Sequence, residues 1–431
     1  METPALDAFR FVHAADLHID SPFNGLRDVD ERVAARLQSA TYEAFRNLVR
    51  LCIDEQAAFL LIAGDVYDGE DRGVRAQVRF REGLAELSSH GIETFVAHGN
   101  HDPLDGWVSQ MSWPEGVHVF GPQPEWKLAH MGSPSAGEGR GAVVAALQGV
   151  SYPTREVTEN LSHKFTPPQG RDLFTIGLLH CNVGGNPDHA NYAPCTVADL
   201  AQTGLDYWAL GHVHTRQTLR RAGPAIVYPG NTQGRHPNEP GPRGALLVDV
   251  GADRLPRTTF HALDVVRWEQ ANVNIAGVKT LDALFATVRQ AMEDLLARAE
   301  GRDVVCRIRI HGRGQMHSEL KRPGAVTELL ETVRADGAAS SPWVWAERIA
   351  DDTRPDLDLN ARSRNDDFLG AVLKHAAYVA GGPEGIERLS GALAEVYTGR
   401  RGGPDALTPA QVAELAEESR WYLAELLEPE G

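Results

Sequence analysis

Side chains that can bind metal ions follow several apolar runs of this sequence, and the clearest case is Gly99-Asn100-His101-Asp102 after residues 92–97. Glycine allows the backbone to turn sharply as it leaves a strand. Asn100 offers a neutral oxygen that suits a metal ion, and His101 offers an imidazole that can bind a metal ion or transfer a proton. These four residues alone are equally consistent with an ordinary loop, so the prediction depends on whether other ligands reach the same place.

Four further apolar runs end in the same kinds of residue. In open α/β sheets, sites form where the carboxyl ends of the strands meet. We therefore expect the five ends to form one shared site. The other runs are residues 9–15 before Asp16 and His18, 59–63 before Asp65 and Asp68, 173–179 before His180, and 207–210 before His212 and His214.

The types and spacing of these residues favour two metal ions. Asp-x-His and His-x-His place two side chains on the same side of an extended segment. One carboxylate must bridge ions that lie about 3.5–4 Å apart, and Asp65, directly after Gly64, is the best candidate. Two divalent ions with Asp16 and Asp65 leave a net positive site, which would attract a phosphate and stabilise its transition state. Such a site also lowers the pKa of a bound water to about 7.

Composition limits the class of protein. At 431 residues, the chain is long enough for two or three domains. The net charge of −17 argues against binding nucleic acid through overall basicity, although a local basic groove or a metal centre stays open. The absence of a GxxxxGK[ST] sequence removes support for an ATPase.

The sequence also predicts a cytoplasmic location. Its apolar runs are too short to span a bilayer, so we expect no membrane association. Residues 1–6 lack the basic and apolar regions of a signal peptide. The four cysteines are scattered and form no CxxC pair, which favours a reducing compartment.

The periodicity of apolar residues predicts an α/β domain over residues 1–265, with helices at 31–55 and 74–88 between buried strands. The segments around Ile226, Leu246 and Phe260 are predicted to be further antiparallel strands. Residues 266–355 predict a small α+β domain. Residues 356–431 are predicted to form the end of a linker and a helical C-terminal segment. The polar linker itself is expected to start at Asp351, to contain Pro355 and to end at Arg364.

The five blocks resemble the calcineurin-like metallophosphoesterase superfamily, whose pattern is DxH, GDxxD, GNH(D/E), H and GHxH, with no block missing. The resemblance implies a four-layer αββα sandwich. It also implies that His101 is not a ligand, and that it contacts the phosphate or protonates the leaving oxygen. The implied ligands are Asp16, His18, Asp65 and His214 for one ion, and Asp65, Asn100, His180 and His212 for the other. A donor set of this kind suits manganese, iron or zinc, with manganese expected first.

Within the superfamily, the chain is most similar to the DNA-repair exonuclease branch, which includes the nuclease subunit of the bacterial SbcCD complex and YhaO-like proteins. This similarity extends over about residues 9–250. It implies a capping domain after the catalytic domain, a C-terminal helical segment that docks on an SMC-like coiled-coil ATPase, and a homodimer. The sequences that carry it are Ala15-Asp-Leu-His-Ile-Asp-Ser-Pro22, Asp206-Tyr-Trp-Ala-Leu-Gly-His-Val-His214 and Tyr228-Pro-Gly-Asn-Thr-Gln-Gly-Arg-His236.

Several alternatives stay open at this point. Asp20, Asp68 and Asp102 could orient imidazoles or could cap turns. Arg235 and His236 could contact a substrate phosphate or belong to a solvated loop. The resemblance favours a DNA exo/endonuclease with two metal ions, acting in DNA repair with an ATPase subunit. A hydrolase of small phosphoesters and a non-catalytic scaffold are the alternatives, and the complete ligand set speaks against the scaffold.

Overall fold

The apolar runs form the strands of two six-stranded sheets and one three-stranded sheet in a computed structural model. The structure describes residues 8–21, 23, 30–68, 73–106, 112–132, 141–167, 173–185, 191–397 and 407–427. The strands are β1 (Phe9–Ala14), β2 (Phe59–Ala63), β3 (Glu93–Ala97), β4 (Val117–Val119), β5 (Glu125–Met131), β6 (Ala142–Val150), β7 (Phe174–His180), β8 (Tyr207–Gly211), β9 (Gln217–Arg220), β10 (Ala225–Tyr228), β11 (Gly244–Val250), β12 (Pro256–Ala262), β13 (Val266–Asn274), β14 (Asp303–Arg313) and β15 (Val344–Arg354).

Both large sheets have a parallel centre. The first has the order β12-β11-β1-β2-β3-β4, and the second has the order β5-β6-β7-β8-β10-β9. In the first sheet, Ala63 at the end of β2 is level with Ala97 at the end of β3. In the second, His180 is level with Gly211. The β10 strand pairs in parallel with β8 and antiparallel with β9, so the prediction of an antiparallel strand around Ile226 was only partly correct.

Alternating side chains divide each strand between two apolar layers, as a period of two requires. Phe11, Phe59 and Phe95 enter the core between the sheets, where Phe174 and Tyr207 meet them from the second sheet. On the other face of the first sheet, intervening side chains of the strands pack against two long helices. A shorter helix covers the second sheet. The predicted four-layer α/β sandwich is therefore confirmed.

Ten helices lie within the described residues, and four of them form the C-terminal segment. None of the described helices is both long and apolar enough to cross a membrane. The helices are α1 (Glu31–Asp54), α2 (Val74–Ser89), α3 (Val197–Gln202), α4 (Leu281–Arg298), α5 (Met316–Leu320), α6 (Ala325–Ala338), α7 (Leu359–Arg362), α8 (Phe368–Gly381), α9 (Pro383–Tyr397) and α10 (Pro409–Leu427).

The chain divides into two compact units. The first comprises Met1–Gln270, Glu293–Arg307 and Arg334–Glu347. The second comprises Ala271–Met292, Ile308–Val333 and Arg348–Gly431. The division into domains at residues 265 and 355 stays a prediction.

The predicted linker from Asp351 to Arg364 was wrong over most of its length. Strand β15 continues to Arg354, and α7 begins at Leu359. Within β15 the Thr353 side chain is buried, and its hydroxyl donates to Asp351 Oδ1 at 2.6 Å. Proline lacks the N–H of a ladder hydrogen bond, so Pro355 ends this strand and does not mark a flexible connection.

Candidate metal centre

The ends of β1, β2, β3, β7 and β8 bring the predicted ligands together at one edge of the sandwich. Hydrogen bonds donated by main-chain N–H groups join the loops that follow these strands. Asp16 N donates to the Gly64 carbonyl at 3.1 Å, and His212 N donates to Asp16 Oδ1 at 3.1 Å. His101 N donates to Asp65 Oδ1 at 3.0 Å. The five strand ends therefore form a single site, as the sequence predicted.

The ligands predicted for the first ion lie around His18. Nitrogen and oxygen atoms of Asp16, His18 and His214 fall within 4.8 Å of one another. His18 Nε2 is 3.3 Å from His214 Nε2 and 3.9 Å from Asp65 Oδ2. These four residues could therefore hold a divalent cation after small adjustments.

The ligands predicted for the second ion lie around Asn100 Oδ1. This oxygen is 3.0 Å from His180 Nε2 and 3.3 Å from His212 Nδ1. His180 Nε2 is also 3.3 Å from Asp65 Oδ2, the same oxygen that faces His18. His180 Nδ1 donates to the Ala63 carbonyl at 2.9 Å, so its Nε2 is available for a metal ion.

The donor atoms are better suited to binding divalent cations than to forming hydrogen bonds with one another. Asp16, His18, Asp65 and His180 are almost completely buried, and His18 Nδ1 has no hydrogen-bond partner among the described residues. Burial raises the pKa of Asp16 and lowers the pKa of His18 well below its usual value. Burial alone would also lower the pKa of His180, but the Asp65 carboxylate outweighs it and raises that pKa to about 9. A buried cluster of imidazoles and oxygens, without thiolate, suits manganese, iron or zinc.

Backbone strain is concentrated at this site. Four predicted ligands have positive φ angles, at 52° for Asp16, 44° for His18, 52° for Asp65 and 98° for His212. Such conformations cost of order 1–3 kcal/mol per residue and persist where the surroundings enforce them. A Cβ atom at Gly99 would collide with the Asp65 carboxylate, so the turn before Asn100 requires glycine.

His101 belongs to a chain of hydrogen bonds beside the ligands. Its Nδ1 lies 2.7 Å from Asp68 Oδ1. Asp68 Oδ2 accepts hydrogen bonds from Arg235 at 2.9 Å and from the Ser21 hydroxyl at 2.6 Å. Burial alone would lower the pKa of His101, but the hydrogen bond to Asp68 and the negative charges of Asp65 and Asp68 together outweigh it and raise that pKa. Asp68 thus orients an imidazole, one of the two roles considered for it.

Geometry alone leaves the role of His101 open. His18, Asp68 and His101 also offer ligand atoms within 4.8 Å of one another, so they could hold a cation themselves. The division between Asn100 as a ligand and His101 as a proton donor therefore stays a prediction.

Asp102 fastens the loop after β3 to the loop after β2. Its two carboxylate oxygens accept hydrogen bonds from the main-chain N–H groups of Gly99 at 2.7 Å, Asp65 at 3.2 Å and Val66 at 2.9 Å. His98 Nδ1 donates to the same carboxylate at 2.9 Å. Asp102 therefore acts mainly on the backbone turns that position Asp65 and Asn100.

Two other candidate residues form no side-chain hydrogen bond with the predicted metal ligands. The Asp20 side chain forms no hydrogen bond or ion pair with any residue that the structure describes, although its N–H donates to Thr41 Oγ1. His236 is exposed, and its Nδ1 accepts a hydrogen bond from Asn238 N at 3.2 Å, within its own turn. Arg235, in contrast, reaches the site through Asp68.

Comparison with known proteins places the chain in a family. Residues 9–216 match the family described as calcineurin-like phosphoesterase, and residues 268–354 match the middle domain of metallophosphoesterase YhaO. A Bacillus subtilis protein described as uncharacterized metallophosphoesterase YhaO is 35% identical over 84% of this chain and 86% of its own. The chain belongs to the calcineurin-like phosphoesterases.

More distant relatives carry functional names. A Bacillus subtilis protein described as a subunit of the nuclease SbcCD is 26% identical over 61% of this chain and 73% of its own. The DNA double-strand break repair protein Mre11 of Thermoplasma acidophilum is 22% identical over 72% of this chain and 79% of its own. Family membership makes this calcineurin-like phosphoesterase a metal-dependent phosphoester hydrolase.

Glu239 is a residue of this phosphoesterase that sequence reasoning missed. Its Oε1 accepts a hydrogen bond from His214 Nδ1 at 2.5 Å, and its Oε2 accepts one from Arg235 N at 2.7 Å. Burial alone would raise the pKa of Glu239, but the hydrogen bonds from His214 and Arg235 N and the positive charges of these two residues together outweigh it and hold that pKa well below its usual value. The carboxylate therefore fixes the imidazole with Nε2 directed at the site.

Glu239→Gln is expected to weaken metal binding by about 10- to 100-fold, since a carboxylate partner orients and activates a metal-binding imidazole. Titration of the apoprotein with Mn²⁺ against a competing chelator measures this change. Glu82→Gln, at an exposed position of α2, is the matched control. Wild-type affinity in Glu239→Gln would contradict this role.

Proposed function

We propose that this phosphoesterase hydrolyses phosphodiester bonds of DNA at a centre of two divalent ions. The observation that supports two ions is the position of Asp65 Oδ2, which faces His180 Nε2 at 3.3 Å and His18 Nε2 at 3.9 Å. A carboxylate between two groups of ligands is the arrangement that a bridged pair of ions needs. One ion would bind Asp16, His18, Asp65 and His214, and the other would bind Asp65, Asn100, His180 and His212.

Manganese is the proposed native metal, and iron or zinc would also suit these donors. Bound ions would neutralise charge on the phosphate and supply an activated water as nucleophile. The residues of the chain keep the donors in place, through the hydrogen bonds from His180 to Ala63 and from His214 to Glu239.

His101 is the proposed proton donor to the leaving oxygen. The hydrogen bond with Asp68 fixes the ring through Nδ1 and leaves Nε2 to transfer a proton, and the raised pKa of His101 favours the protonated imidazole. Asp68 is held in turn by Arg235 and Ser21. His101 lies at the end of this series of hydrogen bonds and is only half-buried, so it is accessible to a substrate.

DNA is the proposed substrate because named relatives include a nuclease subunit and DNA double-strand break repair proteins. By the same similarity, we expect a role in DNA repair, an SMC-like coiled-coil ATPase as partner, and a homodimer. Large apolar side chains are exposed on the C-terminal helices, including Phe368, Tyr378 and Tyr422, which suits a docking role for this segment. The four cysteines are free thiols, which suits a cytoplasmic location.

A small phosphoester is the second candidate substrate. It is favoured by the net charge of −17, because a strongly acidic surface repels the phosphates of a long nucleic acid. The metal ligands and His101 would act on both substrates. Residues outside the metal centre must therefore determine whether DNA or a small phosphoester is selected.

Linear duplex DNA and bis(p-nitrophenyl) phosphate distinguish the two candidates. With Mn²⁺, we expect the purified protein to degrade the DNA, and a chelator to stop the reaction. Rapid turnover of the small diester without attack on DNA, even with the ATPase subunit present, would favour the second candidate. If metal and hydrolysis were both absent, only a scaffold role would be left.

A further inference from the structure

Residues 207–238 contain four arginines and no aspartate, glutamate or lysine. With 59 acidic residues in a chain of 431, about four would be expected in a stretch of this length. The stretch includes His212 and His214 and forms strands β8, β9 and β10. Arg235 is paired with Asp68, so the positive charge of Arg216, Arg220 and Arg221 is what this stretch adds beside the candidate metal centre.

Three of these arginines, Arg216, Arg220 and Arg221, lie in or directly next to the edge strand β9, and we call them the arginine edge. Arg216 lies 4.1 Å over the ring of Phe260, which belongs to the edge strand β12 of the other large sheet. Arg220 Nε donates to the carbonyl of Ala222 at 2.9 Å. None of the three arginines forms an ion pair with a carboxylate in the described parts of the chain. Their charges are therefore available to an external anion.

Three carboxylates in or next to β8, β11 and β12 already have arginine partners, which offsets their negative charge. The pairs are Asp206 with Arg254, Asp249 with Arg10, and Asp253 with Arg257.

The arginine edge begins at the metal centre and leads away from it. Arg216 is two residues past His214, whose carbonyl accepts a hydrogen bond from Asn231 N at 3.2 Å. At a rise of about 3.3 Å per residue, Arg220 lies roughly 13 Å further along the chain direction. The phosphates of one strand of duplex DNA follow at about 3.4 Å along the helix axis, so this distance corresponds to about four nucleotides.

We propose that the arginine edge binds the phosphate backbone of duplex DNA next to the bond that is hydrolysed. This inference rests on the proposed nuclease function and adds the surface that selects DNA over a small phosphoester. A small phosphoester at the metal centre is too short to reach Arg220 or Arg221, whereas a duplex crosses both. Guanidinium groups bind phosphate oxygens in pairs, which makes arginine well suited to this contact.

The test compares Arg220→Ala/Arg221→Ala with Arg46→Ala/Arg50→Ala, which removes the same charge from exposed positions of α1. Binding of a short fluorescent duplex is measured by anisotropy in EDTA, so that no hydrolysis occurs. We expect about tenfold weaker binding at low salt in the first variant and wild-type binding in the second. The slope of log K against log[salt] should become shallower by about 2, at roughly 0.9 per lost phosphate contact.

Each outcome has a distinct meaning. Unchanged DNA binding and salt slope in Arg220→Ala/Arg221→Ala would overturn the arginine edge, while DNA hydrolysis by the wild type would leave the nuclease proposal standing. Loss of binding to anionic vesicles with DNA binding intact would also overturn it. If the wild type turned over bis(p-nitrophenyl) phosphate but neither bound nor cut DNA, both proposals would fail together. Thermal unfolding verifies that each variant is folded, and Mn²⁺ content measured before EDTA is added verifies that its metal centre is intact.

Discussion

Asp65→Asn is expected to lower phosphodiester hydrolysis by at least about a thousandfold and to remove most of the bound metal. Asp65 Oδ2 faces both proposed groups of ligands, at 3.3 Å from His180 Nε2 and 3.9 Å from His18 Nε2. Asparagine keeps the size of the side chain but removes the negative charge that a bridged pair of cations requires. Metal analysis of the purified variant and steady-state kinetics with Mn²⁺ measure the two effects.

Asp54→Asn is the matched control, because Asp54 is the exposed last residue of α1. It should keep wild-type metal content and rate. Asp65→Asn should also remain folded, since asparagine can still accept the hydrogen bond that His101 N donates to Oδ1. A folded Asp65→Asn protein with two ions per chain and the wild-type rate would show that this carboxylate does not bridge.

The strands that carry the ligands were predictable because each is a mainly apolar run that is almost entirely buried. For β2 the predicted and observed bounds are identical. Strands β4, β5 and β9 were not predicted, because they lie at or near sheet edges and carry partly exposed polar residues. Edge strands lack the apolar pattern that marks buried ones.

Ligand candidates could be found from sequence because each directly follows a strand, but their supporting partners could not. Asp68 and Arg235 are 167 residues apart, and His214 and Glu239 are 25 residues apart. Both pairs form only because the loops after different strands reach the same edge. Asp102 could have been recognised as a turn residue from its position, but its hydrogen bonds to the β2 loop depend on the register of β2 with β3.

His101→Ala is expected to lower DNA hydrolysis by about 10²- to 10⁴-fold while leaving metal content unchanged. The imidazole is oriented by Asp68 at 2.7 Å, and its raised pKa favours the protonated form that a proton donor needs. A deoxyribose oxygen needs a proton as it leaves, whereas p-nitrophenolate is a stable anion. The loss should therefore be much smaller with bis(p-nitrophenyl) phosphate, at less than about tenfold.

This difference between leaving groups separates proton donation from the other roles open to His101. Because His18, Asp68 and His101 could hold a cation together, a ligand role would lower metal content and slow both substrates. A role limited to phosphate binding would slow both substrates equally with metal retained. His375→Ala, at an exposed position of α8, should change neither rate. His101 is assigned as the proton donor to the leaving oxygen only if the variant keeps its metal and loses hydrolysis rate much more with DNA than with the small diester.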